Sequence, residues 1–253
     1  MKLNQVAAIT SSVGRFCKDE EGLADSLKKI RDIGYPAVQI SGIGPIEDQK
    51  VADLCGELGL TICATHEKNM RFVEEPEAIV RRVQTLGCSI AGYPYPHPGG
   101  FESMDDVRSV IDALARAGKV LHEAGVTAVY HNHDVEFLKF DGKLVLDMIY
   151  DQVDPRYLQG EPDTFWIQAG GGDPVAWCEK LKGRLPVLHM KDFGTRGKRE
   201  IEIKAIGEGN LDWPRIVRAA EDAGCEWFVV EHDGGTFEDL ATSFDYITSN
   251  LVE

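Results

Sequence analysis

The chain has 253 residues, 43% of them hydrophobic, which is enough for a sizeable core without disulfides. Lys plus Arg number 27 against 42 Asp plus Glu, a net charge of -15, and this excess of acid opposes binding to nucleic acid or to an anionic membrane surface, both of which are gripped by Lys and Arg. The six cysteines (Cys17, Cys55, Cys63, Cys88, Cys178, Cys225) are scattered without a Cys-x-x-Cys pair, there is no leader-like apolar N-terminus, and no apolar run approaches 18 residues, so a soluble cytoplasmic protein with reduced thiols is expected.

A strand at 6–10 opens a repeated unit. A helix at 20–33 then ends at Gly34 and a strand follows at 37–40. The pattern returns as helix 48–58, Gly59 and strand 61–64, and again as helix 76–86, Gly87 and strand 89–92. Helix 104–123 and Gly125 lead to strand 128–131, and helix 144–151 leads to strand 157–159. Helix 174–181 precedes strand 187–190; helix 213–223 and Gly224 precede strand 227–231; helix 237–250 closes the chain. These glycines stand where a helix C′ residue turns left-handed, and Asp173-Pro174 and Asp212-Trp213-Pro214 read as N-caps with proline in the first turn. The strands are continuous apolar runs, as in parallel sheets buried on both faces. Eight such units predict a single-domain (β/α)8 barrel over residues 1–253, a fold that typically needs about 250 residues. A doubly wound open sheet would have the same alternation, but no Gly-rich phosphate fingerprint follows the first strand.

In such a barrel the chemistry gathers at the C-terminal ends of the strands. The fifth strand runs into Tyr130-His131-Asn132-His133-Asp134-Val135-Glu136, the sixth into Gln159-Gly160-Glu161-Pro162-Asp163, the seventh reaches His189 and the eighth Glu231. Glu136, Asp163, His189 and Glu231 thus come from four successive strand ends and can converge. Three carboxylates and one imidazole suit Mn²⁺ or Mg²⁺, with Co²⁺ or Zn²⁺ as alternatives, and a dication would relieve the repulsion of three buried carboxylates. His131 and His133 lie nearer the strand end than Glu136 and are alternative ligands. His131 and Asn132 are candidates to hydrogen-bond sugar hydroxyls or else to brace the fifth loop. Lys191 would polarise an oxygen or pair with Asp192 or Glu231; His66, at the third strand's end, would touch substrate. Trp166 and Phe16 would form an aromatic wall or belong to the core. Lys191 and the basic stretch 196–199 are too few cations to suggest a phosphate, so an unphosphorylated substrate is expected.

Five segments carry a resemblance: YHNHDVEF, the stretch from Asp163 to Trp166 with GGDPVAW after it, LPVLHMKD, IGEGNLDWP and VVEHD. In this order, over essentially the whole chain, they resemble the sugar phosphate isomerase/epimerase family of xylose-isomerase-like TIM barrels. The resemblance implies that Glu136, Asp163, His189 and Glu231 ligate a divalent metal, Mn²⁺ first. It further implies an epimerase or isomerase acting on a sugar or keto-sugar. Proton abstraction next to a carbonyl would form an enediolate stabilised by the metal, with Glu136 and Glu231 exchanging protons on opposite faces. The same family holds inosose and dehydroshikimate dehydratases, so a metal-dependent lyase is the alternative and a non-catalytic sugar-binding barrel a second. A related zinc endonuclease is set aside, because the acidic balance here gives no basic groove. The partner implied is a small-molecule sugar or polyol, with a homo-oligomer left open. Two features depart from the family pattern: Glu161-Pro162 precedes Asp163 where a more apolar strand is usual, and His232 follows Glu231 where Gln is common.

Overall fold

The computed structural model describes residues 1–97, 99–198 and 200–253. Eight parallel strands form its core: β1 (Val6–Ile9), β2 (Ala37–Ile40), β3 (Thr61–His66), β4 (Ile90–Tyr93), β5 (Thr127–His131), β6 (Gln159–Glu161), β7 (Val187–Met190) and β8 (Trp227–Val230). Their order is β6-β5-β4-β3-β2-β1-β8-β7, so the first and last strands of the chain lie side by side, Val6 opposite Phe228. The remaining gap, between β6 and β7, is closed by a single parallel bridge of Asp163 with His189, where the His189 N–H donates to the Pro162 carbonyl at 3.0 Å. The expected single-domain (β/α)8 barrel is therefore the observed fold.

Ten helices among the described residues surround it: α1 (Glu20–Ile33), α2 (Asp48–Glu57), α3 (Asn69–Glu74), α4 (Pro76–Leu86), α5 (Met104–Glu123), α6 (Val145–Gln152), α7 (Thr164–Ala169), α8 (Pro174–Lys180), α9 (Trp213–Ala223) and α10 (Phe237–Asn250). Their ends follow from local chemistry. Asp19 caps α1 by accepting from the Gly22 N–H at 2.8 Å, and Glu20 and Glu21 sit in the favourable first turn. Gly87 and Gly224 end α4 and α9 at φ 72° and 95°, a backbone region costly for residues with a Cβ. None of the described helices is long and apolar enough to cross a membrane.

Period-two alternation divides the strands between two cores. Val6, Ala8, Val38, Ile40, Tyr130, Leu188 and Met190 point outward and pack under the helices. Ala7, Ile9, Ala37, Cys63, Ala64, Ile90, Val129, Val187 and Val229 fill the barrel itself with mostly small side chains. Two residues beyond this inner plug, the same alternation aims Gln39, His131, His189 and Glu231 into the barrel at its C-terminal end. The apolar plug thus acts as the floor of a polar chamber.

The main departure from expectation is the sixth strand. The expected strand at 157–159 is shifted to Gln159–Glu161, in register with β5 so that His131 faces Glu161. Tyr157 and Leu158 look more strand-like, but Gly160 is the residue that fits against Leu181, whose Cδ1 would lie 2.8 Å from an added Cβ. Two helices (α3 and α7) and two hairpins had no expectation attached. The larger hairpin, Asp192–Gly197 with Glu200–Lys204, grows directly from β7. Arg196, at its tip, pairs with Glu202, while Arg199 of the expected basic stretch lies outside the described residues. Asp192 ties down the loop that follows the hairpin. Its Oδ2 accepts from the N–H groups of Gly207 (3.0 Å) and Gly209 (3.1 Å) and from the Trp213 indole (2.7 Å). Its Oδ1 accepts from Phe193 (2.9 Å) and Leu211 (3.4 Å). All six cysteines are free, and five of them are buried.

Candidate metal centre and active site

Polar groups meet in the chamber above the inner plug, and His189 stands at its middle. Its Nδ1 lies 2.6 Å from Glu231 Oε2, and its Nε2 faces Gln39 Oε1 at 2.9 Å and Glu161 Oε1 at 3.1 Å. Glu161 is itself shared: Oε1 also accepts from Gln39 Nε2 at 2.8 Å, and Oε2 lies 2.9 Å from His66 Nε2. The His66 ring stacks on that of His189 at 5.3 Å, and His131 meets His189 edge-on at 4.5 Å. Gly92 on β4 leaves room for this arrangement, since a Cβ there would lie 2.6 Å from the His66 ring and 2.7 Å from Glu161 Oε2.

Among the described residues, two overlapping sets of four have ligand atoms within 4.8 Å of one another: His66, His131, Glu161 and His189, and His131, Asp163, His189 and Glu231. They differ in how far the protein already satisfies them. In the first set Glu161 is saturated by Gln39, His66 and His189. His131, common to both, has its Nδ1 buried without any hydrogen-bond partner, and in the second set Asp163 Oδ2 is buried without one as well. Such orphaned polar atoms are costly and are rare unless they have a ligand to meet. The second set is the one whose residues fit a cation.

Of the four ligands expected, Asp163, His189 and Glu231 come together and Glu136 does not. Glu136 is fully buried in the short turn after β5; it accepts from the Tyr130 hydroxyl at 2.8 Å and from the His133 N–H at 2.7 Å, and burial pushes its carboxyl up to about 7. The physical reason is alternation. His131 is the last inward-facing residue of β5, whereas Glu136 lies five residues on, in the single 3-10 turn Val135–Phe137, where strand alternation no longer sets its direction. A strand at 157–159 leaves Glu161 beyond its end, whereas the observed strand ends on it. With the strand correctly placed, the inward positions Glu161 and Asp163 are both legible.

Electrostatics agree with this division. Burial alone would raise Glu161, but His66 and His189 hold it well below the usual carboxylate range. Burial also opposes the charge on Glu231, yet Lys191 and His189 keep that group ionised. Burial lowers His189, but Glu161 and Glu231 outweigh it and lift the imidazole to about 10. Burial pushes Asp163 up to about 7, with Glu231 adding to the effect and Lys191 and His189 opposing it. Burial holds His131 well below the usual histidine range and takes His133 down to about 4.

The remaining candidates find distinct places. Lys191 is buried; its ammonium lies 2.6 Å from Asp233 and 3.3 Å from Glu231 and over the Trp166 ring at 5.0 Å. It pairs with Glu231, then, and not with Asp192, which faces the other way. Asn132 braces the fifth loop, donating to the His133 carbonyl at 3.2 Å and accepting from the Asp163 N–H at 3.2 Å. Trp166 packs on His133 at 4.9 Å, and its indole N–H is buried and unpartnered, as is His133 Nδ1. Phe16 stacks instead on Phe237 at 5.4 Å and is 44% exposed. His232 donates its N–H to Ser12 Oγ at 2.9 Å.

Comparison with known proteins agrees with the barrel. An inosose dehydratase of Geobacillus thermodenitrificans is 26% identical over 152 residues, covering 54% of this chain and 50% of the relative. An inosose dehydratase of Clostridium beijerinckii is 23% identical over 193 residues, covering 69% and 63%. The chain therefore spans between half and two thirds of the length of these relatives. A solved sugar phosphate isomerase/epimerase from Parabacteroides distasonis superposes with a TM-score of 0.83 at 23% identity over 98% of this chain and 95% of that one. The family model of the xylose isomerase-like TIM barrel matches residues 27–248, and the chain belongs to that family.

Proposed function

We propose that the protein is a divalent-metal-dependent enzyme that removes a proton from carbon next to the carbonyl of a sugar or keto-sugar and returns it as an isomerase or epimerase. The observation that carries this reading is the pair of orphaned ligand atoms, His131 Nδ1 and Asp163 Oδ2, beside Glu231 and His189. His131, Asp163, His189 and Glu231 would hold the cation, His189 through Nδ1 while Nε2–H donates to Glu161 and Gln39, the usual backing of a metal-bound imidazole. Two nitrogens and two carboxylates favour Mn²⁺, Co²⁺ or Zn²⁺ over Mg²⁺, and Mn²⁺ is our assignment. When bound, the cation supplies Lewis acidity for a carbonyl oxygen. Glu231, kept ionised by its neighbours, accepts the carbon-bound proton, and Lys191 Nζ, steadied by Asp233, supplies a proton to the developing hydroxyl. Trp166 and His133 offer their free N–H and ring nitrogen to substrate hydroxyls.

Glu136 takes no part in this proposal, and its withdrawal favours a second reading. Without a second carboxylate on the opposite face, the same proton removal can end in loss of a β-hydroxyl as water, and both relatives described above are inosose dehydratases. Turnover of keto-sugars by the Mn²⁺-loaded protein in deuterated water separates the two. An epimer or isomer carrying one deuterium is expected, whereas a product lighter by one water establishes the dehydratase. Metal-independent turnover without exchange at carbon overturns both.

Metal binding and pH should be linked. Asp163 and His189 both hold protons more tightly in the folded chain than in the unfolded one. The stability they lend is complete below their unfolded values. It is lost as pH climbs through about 7 for Asp163 and about 10 for His189. A dication takes the place of those protons, so the loaded protein escapes the loss. Mn²⁺ is thus expected to raise Tm by several degrees more at about pH 9 than at about pH 6, measured by calorimetry. A gain that shrinks with rising pH contradicts this protonation scheme.

A further inference from the structure

A cavity of about 650 Å³ lies beside the metal-binding group and not over it, between the loops that follow β2 and β3, and is lined by His66, which touches Glu161 and stacks on His189. Its wall is built, not merely exposed. Glu67 is buried behind it, accepting from Arg82 at 2.5 Å and Thr65 at 3.1 Å through Oε1 and from Arg71 at 3.2 Å through Oε2, and Arg82 also donates to Asp48 at 2.8 Å. Two guanidinium groups are held in place at the cavity by this network. The lining is balanced in charge, with Lys68, Arg71 and Arg82 set against Glu47, Asp48 and Glu67. A phosphate or carboxylate would find no surplus of positive charge here, whereas a neutral polyhydroxylated unit would find both donors and acceptors. Ile43, Pro45, Ile46 and Pro94 add apolar surface suited to the C–H face of a sugar. Beyond His131, whose ring lies 5.0 Å from those of both His66 and His133, Trp166 and His133 form a separate aromatic wall with unpartnered polar atoms. The volume falls within the roughly 300–1,000 Å³ that encloses a drug-sized ligand, more than a single ring seated at the metal requires.

We propose that the substrate has two units: a keto-sugar ring that reacts between the metal-binding group and the Trp166–His133 wall, and a second, uncharged glycosyl unit that occupies the cavity beyond His66. This rests on the reaction proposed above and specifies its substrate class. Ser41, whose Oγ lies 3.4 Å from His66 Nδ1, marks the junction where the glycosidic link would pass. Arg71 and Lys68 would donate to hydroxyls of the second unit.

The test compares glucose and trehalose, each oxidised to the ketone at C3, on the Mn²⁺-loaded full chain by titration calorimetry and by turnover. The keto-disaccharide is expected to bind at least about tenfold more tightly. Lys68→Ala, which leaves the Glu67 network intact, should reduce that preference. Glu47→Trp, at an exposed position of the cavity mouth, should abolish it by bulk. Both variants should keep the parent's metal content and its affinity for the keto-monosaccharide. Equal affinity for the two compounds in the parent, with the monosaccharide converted, overturns the two-unit substrate and leaves the proposed reaction standing. So does a preference that survives Glu47→Trp. A metal-loaded parent that neither binds nor converts either compound overturns the proposed reaction, and this inference with it.

Discussion

His189→Ala and Asp163→Ala will each bind Mn²⁺ at least about a hundredfold more weakly than the parent, and turnover will fall with the metal. The effect is large because each change deletes a ligand from a group of four that has no spare members once Glu161 is committed to Gln39, His66 and His189. Metal content by mass spectrometry, with circular dichroism to verify folding, measures it. Three companion variants sharpen the result. Glu161→Gln removes only the backing of His189 and should cost roughly 10–100-fold in metal affinity. Glu136→Gln, seated with Tyr130 and the His133 N–H, should leave metal content unchanged. His66→Ala should keep the metal as well. If Glu161→Gln and His66→Ala emptied the site while Asp163→Ala kept it, the cation would belong to the other overlapping set.

Asp192→Ala will destabilise the protein by roughly 3–5 kcal/mol, a fall in Tm on the order of 10 °C. The carboxylate is fully buried and gathers five N–H donors from Phe193, Gly207, Gly209, Leu211 and Trp213. Alanine leaves most of those donors dry and unpaired, which costs about 1–3 kcal/mol apiece before relaxation. Asn keeps the shape and an acceptor but turns one oxygen into a donor facing donors, so Asp192→Asn should fall between the two. Because Asp192 follows Lys191 and β7 directly, the loosened loop should also lower the affinity for substrate. Chemical denaturation of the three proteins is the check, and a loss below about 1 kcal/mol for Asp192→Ala would show that water rescues the donors.

Most of the barrel could be read from the chain, because helices ended by glycine and followed by apolar runs are local signals. The strands at 37–40 and 187–190 and the helices at 20–33, 76–86, 104–123, 213–223 and 237–250 are found at those bounds. The sixth strand was misplaced because its residues, Gln159, Gly160 and Glu161, carry no apolar signal; its position is set by pairing with β5 and by contact with Leu181, which are tertiary facts. That displacement hid Glu161. Glu136 lies apart from the group of four for a related reason. Reaching the end of a strand says little about direction, and only the in-and-out alternation of Tyr130 and His131 tells which side chain enters the chamber. His189 and Glu231 were legible because apolar runs bring their positions directly to the mouth.

The Asp163–His189 bridge also has a mechanical meaning. Seven of the eight strand junctions are ladders of two or more residue pairs, but the eighth is one bridge made by two of the residues assigned to the cation. A bound ion would rivet the cylinder along its weakest seam, so amide hydrogens of β6 and β7 would exchange with solvent far more slowly in its presence than those of β2 and β3, which need no such fastening. Heredity feels the same constraint: a lineage that lost the chemistry by losing these side chains would lose the rivet with it, though the backbone bridge would remain. Descendants kept merely as carbohydrate receptors could keep the rivet for its fastening alone after catalysis had gone.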